Sequence, residues 1–219
     1  MAAAIAAPFR VNSISAEFAQ AAAPAKASLS DLRIPFVENE GQIADERVKF
    51  KAEISSGSVF VTDKGLSYAL QNSDKTNEEK ITSYYFTEEF KDKTGETVGL
   101  SPKGNMPAAT KVSSFIGADM NKWKSSLPSY EEVELGEIWP GTGATLKAYG
   151  GKIEKVFTTQ PGGDPSQIRL AIEGGKLKLV ESGELSFTIG GQEFRMTKPV
   201  AYQIDAAGVK SDVDVSYRI

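Results

Sequence analysis

FTTQPGGDPSQIRLAIEGGKLKLVESGELSFTIGGQEFRMTKPVAY, residues Phe157–Tyr202, is the stretch whose reading decides the fold. Its apolar residues alternate through Gln167–Ile172, Lys176–Val180 and Glu184–Ile189, the period of strands with one face turned inward. Gly162-Gly163-Asp164-Pro165, Gly174-Gly175, Ser182-Gly183 and Gly190-Gly191 interrupt the alternation with turn-forming residues. The result is a β meander, and nothing in it forms a reactive centre.

Working outward, the same grammar recurs in Val48–Leu70. VKFKAEISSGSVFVTDKGLSYAL and IRLAIEGGKLKLVESGELSFTI share the order strand, glycine turn, apolar strand, polar turn with Gly, then Leu-Ser-aromatic-x-aliphatic. The parallel predicts an all-β chain of two tandem sandwich-like units related by internal duplication. The first unit is set at 31–107 and the second at 128–219, with a connector at 108–127. Within the connector, Asp119 is suited to cap one short helical turn carrying Trp123. Hairpin turns are expected at Asp63-Lys64-Gly65 and across Gly150-Gly151, a turn cluster at Trp139-Pro140-Gly141-Thr142-Gly143, and a strand over Ile81–Phe86. Gln71–Lys80 and Lys91–Thr110 are polar stretches, the second of which reads as a loop or linker. The closing strands are expected at Val200–Ile204 and Val213–Tyr217, across Asp205–Gly208. Lys49, Lys51, Lys176 and Lys178 stand where charge would discourage edge pairing.

Residues 1–30 are Ala-rich and hold Ala19-Gln20-Ala21 and Ala25-Lys26-Ala27, two small-x-small steps of the signal-peptidase kind. They read either as the remnant of an export signal or as a flexible leader, outside the fold in both cases. Nowhere do about 20 apolar residues run together as a membrane-spanning helix requires.

A chain of 219 residues should bury roughly 70% of its extended surface, enough for a large core. The net charge of −4 supplies no basic field for phosphate backbones, so nucleic acid is not an expected partner. The sequence has no Cys and no His, which excludes thiol nucleophiles, His-dependent triads and Cys/His zinc sites. Carboxylates alone could hydrolyse a glycoside, with Glu38, Glu40, Glu154 and Asp164 as candidates, yet no local motif pairs any two of them. Calcium is the cation that Asp164, Asp119 and Asn121 would suit, although an Asp-Pro turn explains Asp164 equally well. A glycan or other polymer would need exposed aromatic platforms, for which Trp139, Trp123 and Tyr149, with Tyr130, are candidates. Large aromatics serve more often as core anchors. The segment Asn39-x-Gly41-Gln42 reads as a structural turn pinned by Phe36, with Gln42 bonding loop backbone. Two readings stay open: a binding module with a clustered aromatic or acidic site, and a non-catalytic scaffold with apolar surface facing a neighbour.

Several ordered motifs then carry a resemblance. They are Pro35-Phe36-Val37-Glu38-Asn39-Glu40-Gly41-Gln42, Phe115-Ile116-Gly117 with Trp123, Trp139-Pro140-Gly141, Gln160-Pro161-Gly162-Gly163-Asp164-Pro165 with Ile168, Gly183-x-Leu185, and Pro199-Val200-Ala201-Tyr202-Gln203. Together they resemble the uncharacterised domain found at the N-terminus of large secreted bacterial proteins that carry SBBP-type β-propeller repeats. The resemblance implies export, a place at the cell surface or outside it, and neighbouring domains in the same polypeptide as partners. It implies no known reaction and no cofactor. Three positions depart from the family's pattern: Ser113-Ser114 in place of Asn-Tyr, Thr142-Gly143 in place of Ile-Asp, and Lys155-Val156 where a strand usually carries an acid.

Overall fold

In a computed structural model of the chain, residues 9–13, 32–74, 77–120 and 123–219 are described. Among them the chain is all β, with one complete 3₁₀ turn at Pro165–Gln167. The strands run β1 Phe9–Ser13, β2 Arg33–Ile34, β3 Phe36–Glu38, β4 Val48–Ile54, β5 Gly57–Thr62, β6 Gly65–Asp74 and β7 Asn77–Phe90. They continue with β8 Lys103–Pro107, β9 Val112–Ser114, β10 Lys124–Leu127, β11 Ser129–Trp139, β12 Thr142–Tyr149 and β13 Lys152–Thr159. The last are β14 Leu170–Glu173, β15 Lys176–Leu179, β16 Leu185–Ile189, β17 Gln192–Met196, β18 Pro199–Ile204 and β19 Lys210–Val213.

One large antiparallel sheet takes most of these strands, in the order β14-β7-β6-β5-β4-β3-β11-β12-β13-β1-β18-β19, with β2 on β12 and β8 on β11. Two small sheets stand apart, the ribbon β9-β10 and the meander β15-β16-β17. The period-2 alternation drives the pairing: Val48, Phe50 and Ala52 of β4 point inward, as do Thr142, Ala144, Leu146 and Ala148 of β12. Strands far apart in the sheet order nevertheless meet. Phe90 of β7 lies edge-on to Phe157 of β13 at 6.3 Å between ring centroids, and to Trp139 of β11 at 6.1 Å. The sheet therefore folds back over itself and closes on its own apolar face.

The larger of two core clusters holds Phe36, Phe50, Val59, Val61 and Leu66 together with Val133, Leu135, Leu146 and Phe157, and a smaller one holds Leu70, Phe86 and Phe187. Both expected units contribute to the larger one, so the boundary near residues 108–127 does not separate two cores. Strand pairing also gives the duplication no counterpart. The stretch 48–70 forms the continuous meander β4-β5-β6, whereas in its supposed repeat β14 leaves the meander and pairs with β7. Alternation and glycine turns are shared by many meanders and do not specify which neighbour a strand takes.

The expected hairpins at residues 63–65 and 150–151 are where the spacing placed them, and the turn cluster at 139–143 joins β11 to β12. Gly65 is fixed there by space, since a Cβ would run into the main-chain oxygen of Glu88 across the β6-β7 pair. Elsewhere the elements differ. In the polar stretch 71–80, residues 71–74 belong to β6 and 77–80 to β7, the 91–110 linker holds β8, and the closing strand lies at Lys210–Val213 in place of Val213–Tyr217. The leader was expected outside the fold, yet Phe9–Ser13 is paired between β13 and β18; the rest of 1–30 is outside the described residues. Lys49 and Lys51 sit on β4, an interior strand flanked by β3 and β5, so they guard no edge. Lys176 and Lys178 do, on the outer strand β15. The turn after β3 is pinned as expected. Phe36 is fully buried, the Asn39 side chain donates to the Ile43 and Val48 carbonyls, and Gln42 Nε2 donates to the Glu38 carbonyl at 2.7 Å.

Candidate functional site

Where the large sheet meets the small meander, a cleft of about 410 Å³ opens between β6, β7 and β13 on one side and β16-β17 on the other. Its walls are aromatic. Tyr68 and Phe86 stack at 4.4 Å between centroids, Phe86 meets Phe187 at 5.2 Å and Phe194 at 5.4 Å, and Tyr84 lies edge-on to Phe194 at 5.7 Å. Such offset and edge-on pairs are worth about 0.5–1.5 kcal/mol each beyond their burial, so the walls hold their shape.

The cleft also has a charged floor. On β7 the inward positions read Phe86, Glu88, Phe90, and on β13 they read Ile153, Lys155, Phe157, Thr159. An acid and a base thus occupy core-facing positions on strands that meet only because the sheet folds over. Lys155 Nζ donates to Glu88 Oε2 at 3.0 Å, and the Tyr68 hydroxyl donates to the same oxygen at 3.0 Å. Their side chains are 6% and 3% exposed, so this is a buried ion pair with one oxygen receiving two donors. The other oxygen, Oε1, is buried and has no hydrogen-bond partner among the described residues. An unmet buried carboxylate oxygen costs about 1–3 kcal/mol.

Burial, and then the neighbouring Glu88 charge, push the Tyr68 phenol well above its ordinary value. The same two causes, in the same order, push Tyr217 up to about 12. The Tyr217 hydroxyl donates to the Thr197 carbonyl at 3.0 Å, which brings the chain's last strandless segment against the end of the cleft.

None of the residues expected to bind ligand lines this cleft. Trp139 is buried, packs on Phe90 and Phe157, and donates its indole N–H to the Lys91 carbonyl at 2.9 Å; it anchors the core and the 91–102 loop. Tyr149 is half-buried on β12, donates to Glu154 at 3.2 Å, and has the Arg33 and Lys152 cations over its ring. Its phenol is pushed up by burial first. Trp123 stands at the tip of the β9-β10 ribbon, edge-on to Phe115 at 5.9 Å, with its indole N–H on the Gly117 carbonyl at 3.1 Å.

That tip is the second notable surface. Phe115, Ile116, Met120 and Trp123 are 60%, 77%, 69% and 39% exposed within one short loop. The Trp123 backbone N–H donates to the Met120 carbonyl at 3.1 Å; the expected helical turn takes in residues 121–122, which lie outside the described residues.

The candidate carboxylates do not converge. Asp164 accepts from the Ser166 backbone and hydroxyl, both at 2.9 Å, and caps the 3₁₀ turn; the hydroxyl first, and then the backbone N–H, hold its carboxyl below the usual range. Glu38 accepts from Tyr130 at 3.1 Å, and Glu154 accepts from Tyr149. Asp119 is exposed on the tip, and Asn121 lies outside the described residues. Among the described residues no three Asp or Glu side chains are grouped as a metal site. No described helix is long and apolar enough to cross a membrane.

The sequence matches a domain of unknown function, DUF7948, over residues 36–219, most of the chain. The chain belongs to the DUF7948 family. No curated protein and no solved structure matches it. The match begins at Phe36 and so takes in both core clusters and the cleft of this DUF7948 domain.

Proposed function

We propose that this DUF7948 domain is a non-catalytic interaction module of a secreted or cell-surface bacterial protein, one that packs against a neighbouring domain of the same polypeptide. The observation that carries the reading is the β9-β10 tip, with Phe115, Ile116, Met120 and Trp123 outward together. Contiguous exposed apolar surface is rare on a self-sufficient domain and marks a surface that another protein covers. The Phe115-Trp123 contact and the indole bond to Gly117 hold the tip in shape before any partner arrives, which limits the entropy lost on docking. The motif resemblance to domains that precede propeller repeats supports a neighbour in the same chain as the occupant.

Hydrogen–deuterium exchange on the isolated domain and on its full-length parent tests this. Protection of residues 112–127 only in the parent is the expected result. Ile116→Asp should abolish that protection while leaving the β4–β6 amides unchanged. Equal exchange of the tip in both proteins would overturn the reading.

A further inference from the structure

We infer that the gap between β13 and β18 is a strand-acceptor site: this chain fills it with its own Phe9–Ser13, and it binds, in that segment's place, an extended segment of another protein chain with apolar residues at alternate positions. The slot uses none of the residues of the β9-β10 tip and does not depend on the docking role assigned there.

Strand pairing defines the slot. β13 and β18 are not neighbours in the sheet; Phe9–Asn12 runs antiparallel to Val156–Thr159 on one side, and Phe9–Ser13 runs antiparallel to Pro199–Gln203 on the other. The closing hairpin β18-β19 is joined to the large sheet by this pairing, since β18 has β1 and β19 as its neighbours. Without β1, two edges face each other across one strand's width. Each then carries a row of N–H and C=O groups lacking strand partners, which is the surface that strand addition uses.

The ladder positions on either side set the chemistry of the occupant. Phe157 and Ala201, level with Val11, are buried, as is Thr159, level with Phe9. Those two levels lie two residues apart on one face of the sheet and call for apolar side chains. Arg10 stands between them, level with the half-buried Thr158 and Tyr202, where a polar residue is tolerated.

Three further facts make β1 exchangeable. The DUF7948 match begins at Phe36, so the strand that completes the sheet comes from outside the domain. β1 pairs with Val156–Thr159, half of the eight-residue β13, so a longer donor has more of that strand to follow. Both small-x-small steps, Ala19-Gln20-Ala21 and Ala25-Lys26-Ala27, lie between β1 and β2, and a cut at either frees β1 from its tether. A tethered strand competes at an effective concentration of roughly mM, whereas a severed one is displaced by a donor that pairs better.

The test is made on the full chain with a sequence-specific protease site in place of residues 20–26, folded first and then cut. The probe is a fluorescent peptide of residues 5–17. The cut chain is expected to take up the probe, and the uncut chain to take up at least about tenfold less at equal concentration. A probe with Val11→Pro should bind at least about tenfold more weakly, because proline lacks the ladder N–H and does not fit between two strands. Register supplies a second readout in a chain without cysteine. With Thr158→Cys in the chain, a disulfide should form with an Arg10→Cys probe and not with a Val11→Cys probe. No uptake by the cut chain, or equal uptake of the proline probe, would overturn the inference. Loss of amide protection in β4–β6 on release of β1 would do the same, by making β1 part of the core. Disulfide-linked dimers between uncut Arg10→Cys and Thr158→Cys chains, without probe uptake by the cut chain, would assign the slot to a second copy instead.

Discussion

At the scale of the residue, the Glu88-Lys155 pair concentrates the risk in this molecule. Two charges sit in rows that are otherwise apolar, and their attraction offsets a desolvation cost of several kcal/mol per ion. Removing one partner should therefore hurt more than removing both. Lys155→Met leaves Glu88 buried with one Tyr donor and is expected to lower stability by about 3–5 kcal/mol in urea unfolding. Adding Glu88→Leu should recover most of that loss, because the paired apolar side chains fill the same space without a charge to desolvate. A double variant no more stable than Lys155→Met would show that the pair stabilises the fold outright. The phenols beside the pair set a limit at alkaline pH. Tyr217 has a folded pKa of about 12 against an ordinary 10.0, and Tyr68 is raised in the same direction. A folded pKa above the unfolded one means that the neutral phenol favours the native state. The contribution is complete below pH 10.0 and is lost as pH rises toward 12. Phenolate absorbance should show these two of the seven tyrosines ionising together with loss of β circular dichroism. Their ionisation in a still-folded protein would contradict the burial assigned to them.

At the scale of the element, what the sequence discloses and what it hides divide along a physical line. Period-2 alternation and turn chemistry act between neighbours, so the β class and the tight hairpins at Asp63-Lys64-Gly65 and Gly150-Gly151 are legible without any structure. The same local rules do not say which distant strand β14 will join, and its departure to β7 leaves the duplication read from pattern without support in the pairing. Polar composition misleads at β8, since Lys103–Pro107 pairs with β11 through backbone groups that composition does not reveal. Aromatic side chains mislead about the site for a related reason. Trp139 is large, and a large ring in a loop-like Trp-Pro-Gly context can equally be a platform or a core anchor; only its neighbours Phe90 and Phe157 decide. The cleft did leave a signal. Phe86-Glu88-Phe90 and Ile153-Lys155-Phe157 each break an apolar row with one charge, and opposite charges at inward positions of two strands are a recognisable request for pairing.

At the scale of the whole molecule, the question is whether residues 32–107 and 128–219 are two objects or one. The inward faces of β4 and β5 pack into the cluster that also holds Val133, Leu135, Leu146 and Phe157, and β3 is hydrogen-bonded to both β4 and β11. Separating the halves would expose Phe36, Phe50 and Val61 on one side, and Leu135 and Leu146 on the other, all essentially buried in the intact chain. At about 1.5–3 kcal/mol for each such side chain, exposing even these five costs about 7.5–15 kcal/mol, as much as the net stability of a typical domain, roughly 5–15 kcal/mol. Neither half should fold alone. The full chain is expected to unfold in one transition, with fluorescence from the buried Trp139 and far-ultraviolet circular dichroism giving coincident midpoints in urea. Pieces 32–107 and 128–219 expressed separately should lack dispersed amide spectra, and regain them only when mixed, if complementation restores the β3-β11 pairing. A dispersed spectrum from 128–219 alone, or two separated transitions in the full chain, would show that each half carries a sufficient core and that the shared cluster is an interface between two domains.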